Sequence, residues 1–415
     1  MERVNLQFLD LFKSSLNNKP YECGEIDLEN LKHIYALAQI HHVVPMIYNA
    51  LYNEEFFENV DENFKRMFKN TGFRLVVSQI QRSNRFLELY KKLQENDVDA
   101  IVFKGIIFRN MYNNPDDRMS SDEDILVKKE DYDKVKEIFL GEGLEFIQKE
   151  GNECAYFCRQ TGLCIEVSTS LFSDESKAYG HLNNLFDDIF EKSIKINIDG
   201  VEFSTLSHEQ HLIYIVFHNM KHFLHGGFGI RQVADFMKYI EKYGEFIDWD
   251  KFWSDLKILN YDTFALNLID ISLKYLGFDD NKAVYPGGIK NFDEIKNYND
   301  YYINSDDLIS DILDSGVFGA STQERKHTAL MTLNAVEEND NGNNGNRFKA
   351  IFPSVDYLKG SYTYLQKYPV LLPVAWGQRI LGYLKKNKNN KDSYVNTMEL
   401  GKQRIELLKE YKIIK

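Results

Sequence analysis

Three acidic residues stand directly before an apolar triplet in this chain. Asp122, Glu123 and Asp124 lead into the sequence ILV, a pattern typical of a strand that enters a hydrophobic core. Side chains alternate between the two faces of a strand, so Asp122 and Asp124 should share one face and Glu123 should point the other way. Two carboxylates on one face at a strand end form a natural site for a divalent cation such as Mg²⁺ or Mn²⁺, because hard cations bind oxygen ligands.

A third carboxylate lies in another apolar run. Glu166 interrupts the sequence LCIEVSTSL, which predicts a strand, and a lone acid in an apolar strand requires a partner. If this strand lies beside the first, the three acids complete a two-metal site, which binds the attacking and leaving oxygens of an in-line displacement at phosphorus. The plainer alternatives are a solvated strand end for Asp122 and Asp124, and an acid on an edge strand for Glu166.

The composition limits the classes of protein and partner. The chain has 415 residues, of which 43% are hydrophobic, so a large core is available. The net charge of −13 argues against a broad nucleic-acid-binding face, which requires a basic surface. Residues 367–415 differ, because they contain eleven basic and four acidic residues. A helix packed on the body explains the apolar residues of this basic tail more simply than contact with a membrane does.

The cysteines and the N-terminus indicate a cytoplasmic protein. The four cysteines form no CxxC pair and show no zinc-ligand spacing with histidines, so reduced thiols are expected. The N-terminal sequence MERVNLQFLDLFKSS is amphipathic and lacks the apolar core of a signal peptide. No uninterrupted apolar run approaches the ~18 residues of a membrane span.

The hydrophobic periodicity divides the chain into three segments. Residues 1–97 show the three- and four-residue spacing of amphipathic helices. Residues 98–206 contain short apolar runs separated by turns, which predict a mixed α/β core. Residues 207–415 are predicted to be helical again, with loops and one short helix over 277–320 and a flexible loop at 338–346.

The acidic motif and its surroundings resemble a known superfamily. A strand, a glycine turn at Gly105, a helix, a D-x-D strand and a later strand with a third acid follow the order seen in nucleotidyltransferases related to DNA polymerase beta and kanamycin nucleotidyltransferase. More closely, the sequence FKGIIFRNMYNNPDDRMSSDEDILV is similar to a block of a bacterial family of uncharacterised nucleotidyltransferases. Flanking sequences such as IHHVVPMIYNAL and LIYIVFHNMKH extend the resemblance over most of the chain.

The resemblance implies a fold and an activity. The fold would be α+β, with a small mixed nucleotidyltransferase-type sheet flanked by an N-terminal helical segment and a C-terminal helical region. The activity would be Mg²⁺-dependent transfer of a nucleoside monophosphate from a nucleoside triphosphate to a hydroxyl group. The acceptor would be a small molecule, a sugar or a protein, because the acidic body disfavours nucleic acid.

The resemblance also implies roles for individual residues. The two aspartates would bind metal, and Glu166 would be the third acid, which orients or deprotonates the acceptor hydroxyl. Gly105 would lie in the turn that approaches the triphosphate. Lys104 and Arg118 would be the cationic neighbours of the triphosphate, although Lys104 equally fits a lysine that reaches past a core strand to solvent.

Two positions depart from the superfamily pattern. Gly105 is followed by Ile106, where the superfamily usually has a glycine or serine that contacts phosphate. The residue between the aspartates is Glu123, where an apolar residue is usual, and its side chain is expected to need a basic or hydrogen-bonding partner behind the sheet. These departures motivate a competing hypothesis, a catalytically inactive nucleotide-binding or regulatory module with the same fold. A hydrolase or kinase with the same metal site is a third hypothesis.

Polar residues in the helices after the sheet leave two interpretations open. His218, Lys221 and His222 lie three and four residues apart on one predicted helix, and Arg231 and Asp235 share a face of the next. These residues form either a hydrogen-bonded seam between helices or part of the nucleotide or acceptor pocket.

Overall fold

A seven-stranded mixed sheet lies in the middle of the chain, with helices before and after it. This arrangement confirms the predicted α+β class with its two flanking helical regions. The computed structural model describes residues 1–22, 24–148, 154–298, 300–317, 323–340, 355–359, 362–378 and 391–415.

The strands place the acidic triplet in the interior of the sheet. They are β1 (Ala100–Val102), β2 (Glu123–Val127), β3 (Glu145–Gln148), β4 (Cys154–Cys158), β5 (Leu163–Ser168), β6 (Ile194–Ile198) and β7 (Val201–Thr205). Their order across the sheet is β3-β4-β5-β2-β1-β7-β6. β2 runs antiparallel to β1 and parallel to β5. All five residues of β2 are buried, which explains the continuous apolar run after the acids.

The helices before the sheet are α1 (Arg3–Asn17), α2 (Leu28–Ile40), α3 (Val44–Leu51), α4 (Glu55–Glu58) and α5 (Glu62–Glu95). α5 begins where the Asp61 side chain accepts a hydrogen bond from the Phe64 amide at 2.9 Å, because this bond satisfies a donor that the first helical turn leaves without a partner. It continues for 34 residues and buries Phe68, Phe86 and Leu93 along one side. The long amphipathic pattern in this segment therefore forms one helix.

Two helices lie within the sheet region, α6 (Ile106–Arg109) and α7 (Tyr132–Gly141). Those after the sheet are α8 (His208–Leu224), α9 (Ile230–Tyr243), α10 (Trp249–Ile258), α11 (Asp262–Ile271), α12 (Phe292–Ile295), α13 (Ser305–Ser315), α14 (Gln323–Asp340), α15 (Val355–Leu358), α16 (Tyr364–Lys367) and α17 (Lys391–Glu410). Ser207 caps α8 by accepting a hydrogen bond from the Gln210 amide at 3.3 Å. α8 and α9 pack against each other. Among the described residues, no helix has the length and apolar character needed to cross a membrane.

The segment 277–320 differs from its prediction of loops with one short helix. Its described part contains two α-helices, α12 and the 11-residue α13, and two three-residue 3₁₀ helices. The Asn and Asp residues that suggested loops also cap helices, as where the Asn291 side chain accepts a hydrogen bond from the Asp293 amide at 2.8 Å. Composition alone does not separate these two uses of the same side chains.

The flexible loop predicted at 338–346 begins too early. α14 extends to Asp340, so residues 338–340 are helical. The rest of the predicted loop, residues 341–346, lies outside the described residues.

One hydrophobic core joins the helices and the sheet. Buried apolar side chains from α1, α5, β2, α8 and α11 belong to a single cluster, which includes Phe12, Leu93, Ile125, Phe217 and Ile269. The predicted borders at 97 and 206 therefore mark changes of secondary structure within a shared core. Their status as domain borders stays a prediction.

A buried carboxylate ties the last helix to the body. Asp311 of α13 lies 3.1 Å from Nη2 of Arg325 in α14 and 3.4 Å from Nε of Arg404 in α17. All three side chains are buried. Arg404 also donates a hydrogen bond to the carbonyl oxygen of Phe223, near the end of α8. The cluster thus couples the C-terminal helix to α8.

Removing the Asp311 carboxylate tests how much it contributes to the free energy of unfolding. Asp311→Ala should lower the free energy of unfolding by about 3–5 kcal/mol, because it removes the buried carboxylate that two buried guanidinium groups share. Denaturant titration followed by circular dichroism measures the loss. The control is Ser310→Ala, an exposed residue of the same helix, which should cost less than about 1 kcal/mol. Equal losses in the two variants would contradict the role of the buried cluster.

Candidate active site

A cavity of about 230 Å³ lies between the sheet and helices α8 and α9. Among the described residues that line it, eight are charged, four of each sign. The acids are Asp122, Asp124, Glu166 and Asp235, and the cations are Lys104, Arg118, Lys221 and Arg231. Gly105 also lines the cavity. The structure therefore brings together all six residues that the sequence singled out as metal or phosphate ligands.

The three predicted metal ligands come from two neighbouring strands. Asp122 immediately precedes β2, Asp124 lies within it, and the parallel register pairs Asp124 with Glu166 of β5. Residues in register on adjacent strands project from the same face of the sheet, so the carboxylates share one wall of the cavity. β5 lies between β4 and β2, so the alternative that placed Glu166 on an edge strand is wrong.

Asp124 is the most deeply buried of the three acids, and only one of its oxygens has a partner. Oδ1 lies 2.8 Å from Nζ of Lys104, whereas Oδ2 is buried without a hydrogen-bond partner among the described residues. Burial raises the pKa of Asp124 to about 7; the Lys104 ammonium opposes this shift, and repulsion from Asp122 and Glu166 adds to it. A carboxyl group in this environment would be stabilised in its charged form by a further cation.

The three carboxylates fit Mg²⁺ or Mn²⁺ in their chemistry, because they supply hard oxygen ligands and include one unpartnered oxygen. Within the described part of the chain, however, no three His, Cys, Asp or Glu side chains are already gathered closely enough to hold a metal ion. Binding an ion would therefore require the carboxylates to draw together and Lys104 to share Asp124 with the ion.

Glu123, the middle acid of the triplet, is buried in an ion pair away from the cavity. Its side chain is 1% exposed, and its Oε1 lies 2.6 Å from Nη1 of Arg109, which is also 1% exposed. Its Oε2 accepts a hydrogen bond from the Ile106 amide at 2.7 Å. These are the basic and hydrogen-bonding partners that the sequence required behind the sheet.

The same carboxylate explains the glycine in the turn after β1. Gly105 has φ = 51°, and a Cβ atom there would overlap Oε2 of Glu123. Only glycine combines this backbone conformation with room for the carboxylate at the start of α6. The amide of Ile106, at the position where the superfamily pattern has a phosphate contact, is therefore already bonded to Glu123.

Arg118 lines the cavity but is held by an acid. Its guanidinium binds Asp235 through two hydrogen bonds, Nε to Oδ1 at 3.0 Å and Nη2 to Oδ2 at 2.5 Å. The Tyr112 hydroxyl donates to the same carboxylate at 2.8 Å, and Arg118 Nη1 donates to Oγ of Ser120 at 2.7 Å. Contact between Arg118 and a triphosphate stays a prediction, and its charge is already matched by Asp235.

Helix α8 presents a polar face to the cavity. Ile215, His218, Asn219 and His222 line it at three- and four-residue spacing. The Nε2 atoms of His218 and His222 lie 3.0 Å apart, so one ring donates a hydrogen bond to the other. Burial lowers the pKa of both rings, to about 3 for His222, which keeps them neutral. The histidines thus bond to each other and line the pocket as well. Sequence reasoning missed Asn219, although it follows His218 on the same helix face.

The charges divide between the two sides of the cavity. Lys104 is bound to Asp124, and Arg118 is bound to Asp235 of α9. Of the four charged lining residues outside these two ion pairs, Asp122 and Glu166 belong to the sheet side, whereas Lys221 and Arg231 belong to α8 and α9. We call these two sides the acidic floor and the basic wall.

A comparison with protein families identifies the chain's relatives. The family described as uncharacterised nucleotidyltransferase matches residues 27–277, more than half of the chain, including the sheet and both helices of the basic wall. The chain belongs to this family. Membership confirms the resemblance seen in the sequence and supports nucleotidyl transfer as the general activity. Comparisons with curated proteins and with solved structures gave no match.

The ion pair behind the sheet is open to a direct test. Glu123→Leu should lower the free energy of unfolding by about 3–5 kcal/mol, because buried Arg109 loses its counter-charge. The double variant Glu123→Leu with Arg109→Met should recover most of the loss in denaturant titrations, because no buried charge remains. If the double variant is as unstable as Glu123→Leu, then Glu123 balances the charge of a group other than Arg109.

The raised pKa of Asp124 predicts a pH dependence of stability. Between the usual carboxyl pKa of about 4 and the folded value of about 7, the folded protein keeps a proton that the unfolded chain has released. The metal-free protein should therefore become less stable as pH rises through this window, by roughly a few kcal/mol from this group. Asp124→Asn should remove that contribution. Unfolding of both proteins in EDTA across this range measures it, and identical pH profiles would contradict the raised pKa.

Proposed function

We propose that this protein transfers a nucleoside monophosphate from a nucleoside triphosphate to an acceptor hydroxyl in an Mg²⁺- or Mn²⁺-dependent reaction. Asp122, Asp124 and Glu166 would bind the metal. The observation that carries this proposal is the acidic floor opposite the basic wall in one cavity. A metal-bound triphosphate presents cations on one side and phosphate oxygens on the other, so it complements both surfaces.

The charge balance of the cavity supports a ligand of this kind. The lining charges cancel, four against four. A triphosphate together with its divalent cations carries little net charge as a unit, so its entry into the cavity would leave the balance nearly unchanged. A bare triphosphate or a bare metal ion would place an uncompensated charge in a partly buried site, which is unfavourable.

Each residue would have a separate task in the reaction. The metal, when bound, would offset the negative charge that develops on the transferring phosphoryl group. Glu166 would accept the proton of the acceptor hydroxyl as the new oxygen–phosphorus bond forms at the α-phosphorus. Lys104 would keep its ammonium group beside the floor and close to the phosphates. The bond from the α-phosphorus to the bridging oxygen then breaks, and pyrophosphate leaves.

The acceptor in this proposal is a small molecule, a sugar or a protein. The net charge of −13 disfavours nucleic acid, whose phosphates bind basic surfaces. We place the reaction in the cytoplasm, a reducing compartment that suits the free cysteines Cys154, Cys158 and Cys164.

Metal and nucleotide binding can be tested before the acceptor is known. Mg²⁺ should raise the melting temperature of the wild type, and more so together with a nucleoside triphosphate, because both bind the folded state. Asp122→Asn combined with Asp124→Asn should abolish this shift. The variant removes the repulsion between the two acids but also the partner of Lys104, so each shift is measured from the metal-free melting temperature of the same protein. The matched control is Asp131→Asn with Asp133→Asn, which has the same spacing outside the cavity and should keep the shift.

Glu166→Gln separates binding from transfer. This variant should keep most of the shift with metal and nucleotide, because both aspartates remain and the glutamine side chain retains one oxygen that can bind the metal. Transfer of label from an α-labelled triphosphate to acceptors in a cell extract should fall by roughly two orders of magnitude or more, as expected when a base is lost. A normal shift in the aspartate double variant would show that these carboxylates are not ligands. Nucleotide binding without transfer in the wild type would identify an inactive binding module instead.

A further inference from the structure

In the turn after β1, the backbone amide of Ile106 is not available to bind a phosphate group. The Ile106 amide donates to Oε2 of Glu123 at 2.7 Å, and Oε1 of the same carboxylate pairs with Arg109. A phosphate at this amide would have to displace a buried carboxylate that two groups hold, and it would be repelled by the negative charge of that carboxylate. The phosphate chain of a substrate therefore needs donors elsewhere in the cavity.

Arg231 supplies a buried positive charge that no acid of the described residues neutralises by an ion pair. Its side chain is 6% exposed and lines the cavity. It donates a hydrogen bond to the carbonyl oxygen of Met119, but its Nε is buried without a partner. Asp235, one helical turn later, is already bound to Arg118. A guanidinium in this state is costly in a folded protein unless an anion binds it.

The side-chain amide of Asn219, on α8, also has a buried nitrogen without a hydrogen-bond partner among the described residues. Asn219 is 1% exposed and lines the cavity, and its Nδ2 has no hydrogen-bond partner in the part of the chain that the structure describes. Buried amide groups are normally hydrogen-bonded. Nε of Arg231 and Nδ2 of Asn219 are both donors, so the ligand that satisfies them must present acceptor atoms, and a negative charge for Arg231.

We propose that Arg231 and Asn219 bind the phosphate chain of the substrate, so that phosphate recognition in this protein lies on the basic wall of α8 and α9 instead of in the turn after β1. The ligand class is a polyphosphate, free or as part of a nucleotide. Arg231 binds phosphate oxygens through its planar guanidinium, and Asn219 donates through Nδ2. The inference builds on the proposed transfer reaction, but the phosphate chain can be tested without a base, an acceptor or turnover.

Calorimetric titration with inorganic tripolyphosphate in the presence of Mg²⁺ measures this contact. Arg231→Met and Asn219→Leu should each weaken binding by roughly tenfold or more, because each removes donors to a charged oxygen. Asn219→Leu should leave the melting temperature of the ligand-free protein nearly unchanged, since Nδ2 of Asn219 has no hydrogen-bond partner among the described residues. Arg231→Met removes a buried charge but also the hydrogen bond to the Met119 carbonyl, so its two effects on stability oppose each other. The matched control is Lys238→Met on α9, whose ammonium pairs with Glu241 and does not line the cavity; it should bind as the wild type does.

The outcomes separate this inference from the transfer reaction. Weaker binding in both cavity variants, with normal binding in Lys238→Met, supports the basic wall as the phosphate site. Wild-type affinity in Arg231→Met, or no tripolyphosphate binding by the wild type, overturns it. If Arg231→Met does not fold, Asn219→Leu decides by the same criterion. Failure of the proposed function gives a different result, in which tripolyphosphate binding depends on Arg231 but no metal-dependent shift with nucleotide or transfer is found.

Discussion

The buried ion pair between Glu123 and Arg109 is the constraint on which the arrangement of the site depends. It ties the first residue of β2 to the end of α6, and both side chains are 1% exposed. Because strand side chains alternate, holding Glu123 behind the sheet sends Asp122 and Asp124 to the cavity. A slip of β2 by one residue would move Glu123 to the cavity and leave Arg109 buried without a counter-charge, so the pair also protects the register of the acidic strand.

Three residues that line the cavity each have a buried polar atom without a hydrogen-bond partner among the described residues. Oδ2 of Asp124, Nδ2 of Asn219 and Nε of Arg231 are all buried, lack hydrogen bonds within the described residues and line the same space. Each such group lowers stability, and a protein retains them together where a ligand can satisfy them. Their signs agree with the floor and the wall, because the carboxylate oxygen belongs to the sheet and the two donors belong to α8 and α9.

Helices after the region matched by the family help to hold α8, one of the two helices of the basic wall, in place. The family match ends at residue 277, yet side chains from later helices bond to carbonyl oxygens at the C-terminal end of α8. Thr332 Oγ1 donates to Leu224 at 2.7 Å, Arg325 donates to Gly226 just after the helix at 2.9 Å, and Arg404 donates to Phe223. These bonds satisfy carbonyl groups that the end of a helix leaves free, so α14 and α17 help to hold α8 against the cavity.

The sequence by itself determined the division into helical and mixed segments and the acidic face of β2, although it missed helix α13. Alternation along a strand and the three- to four-residue spacing of helices act over a few residues, so they placed Asp122 and Asp124 together and identified Glu166 as an unusual acid in an apolar strand. Only the tertiary structure decided which charges are paired. Arg118 and Asp235 are 117 residues apart in the chain. No local pattern shows that these two form an ion pair while Arg231, on the same helix as Asp235, forms none with the described residues. Pairing depends on distances across the folded core, which the periodicity of single elements does not encode.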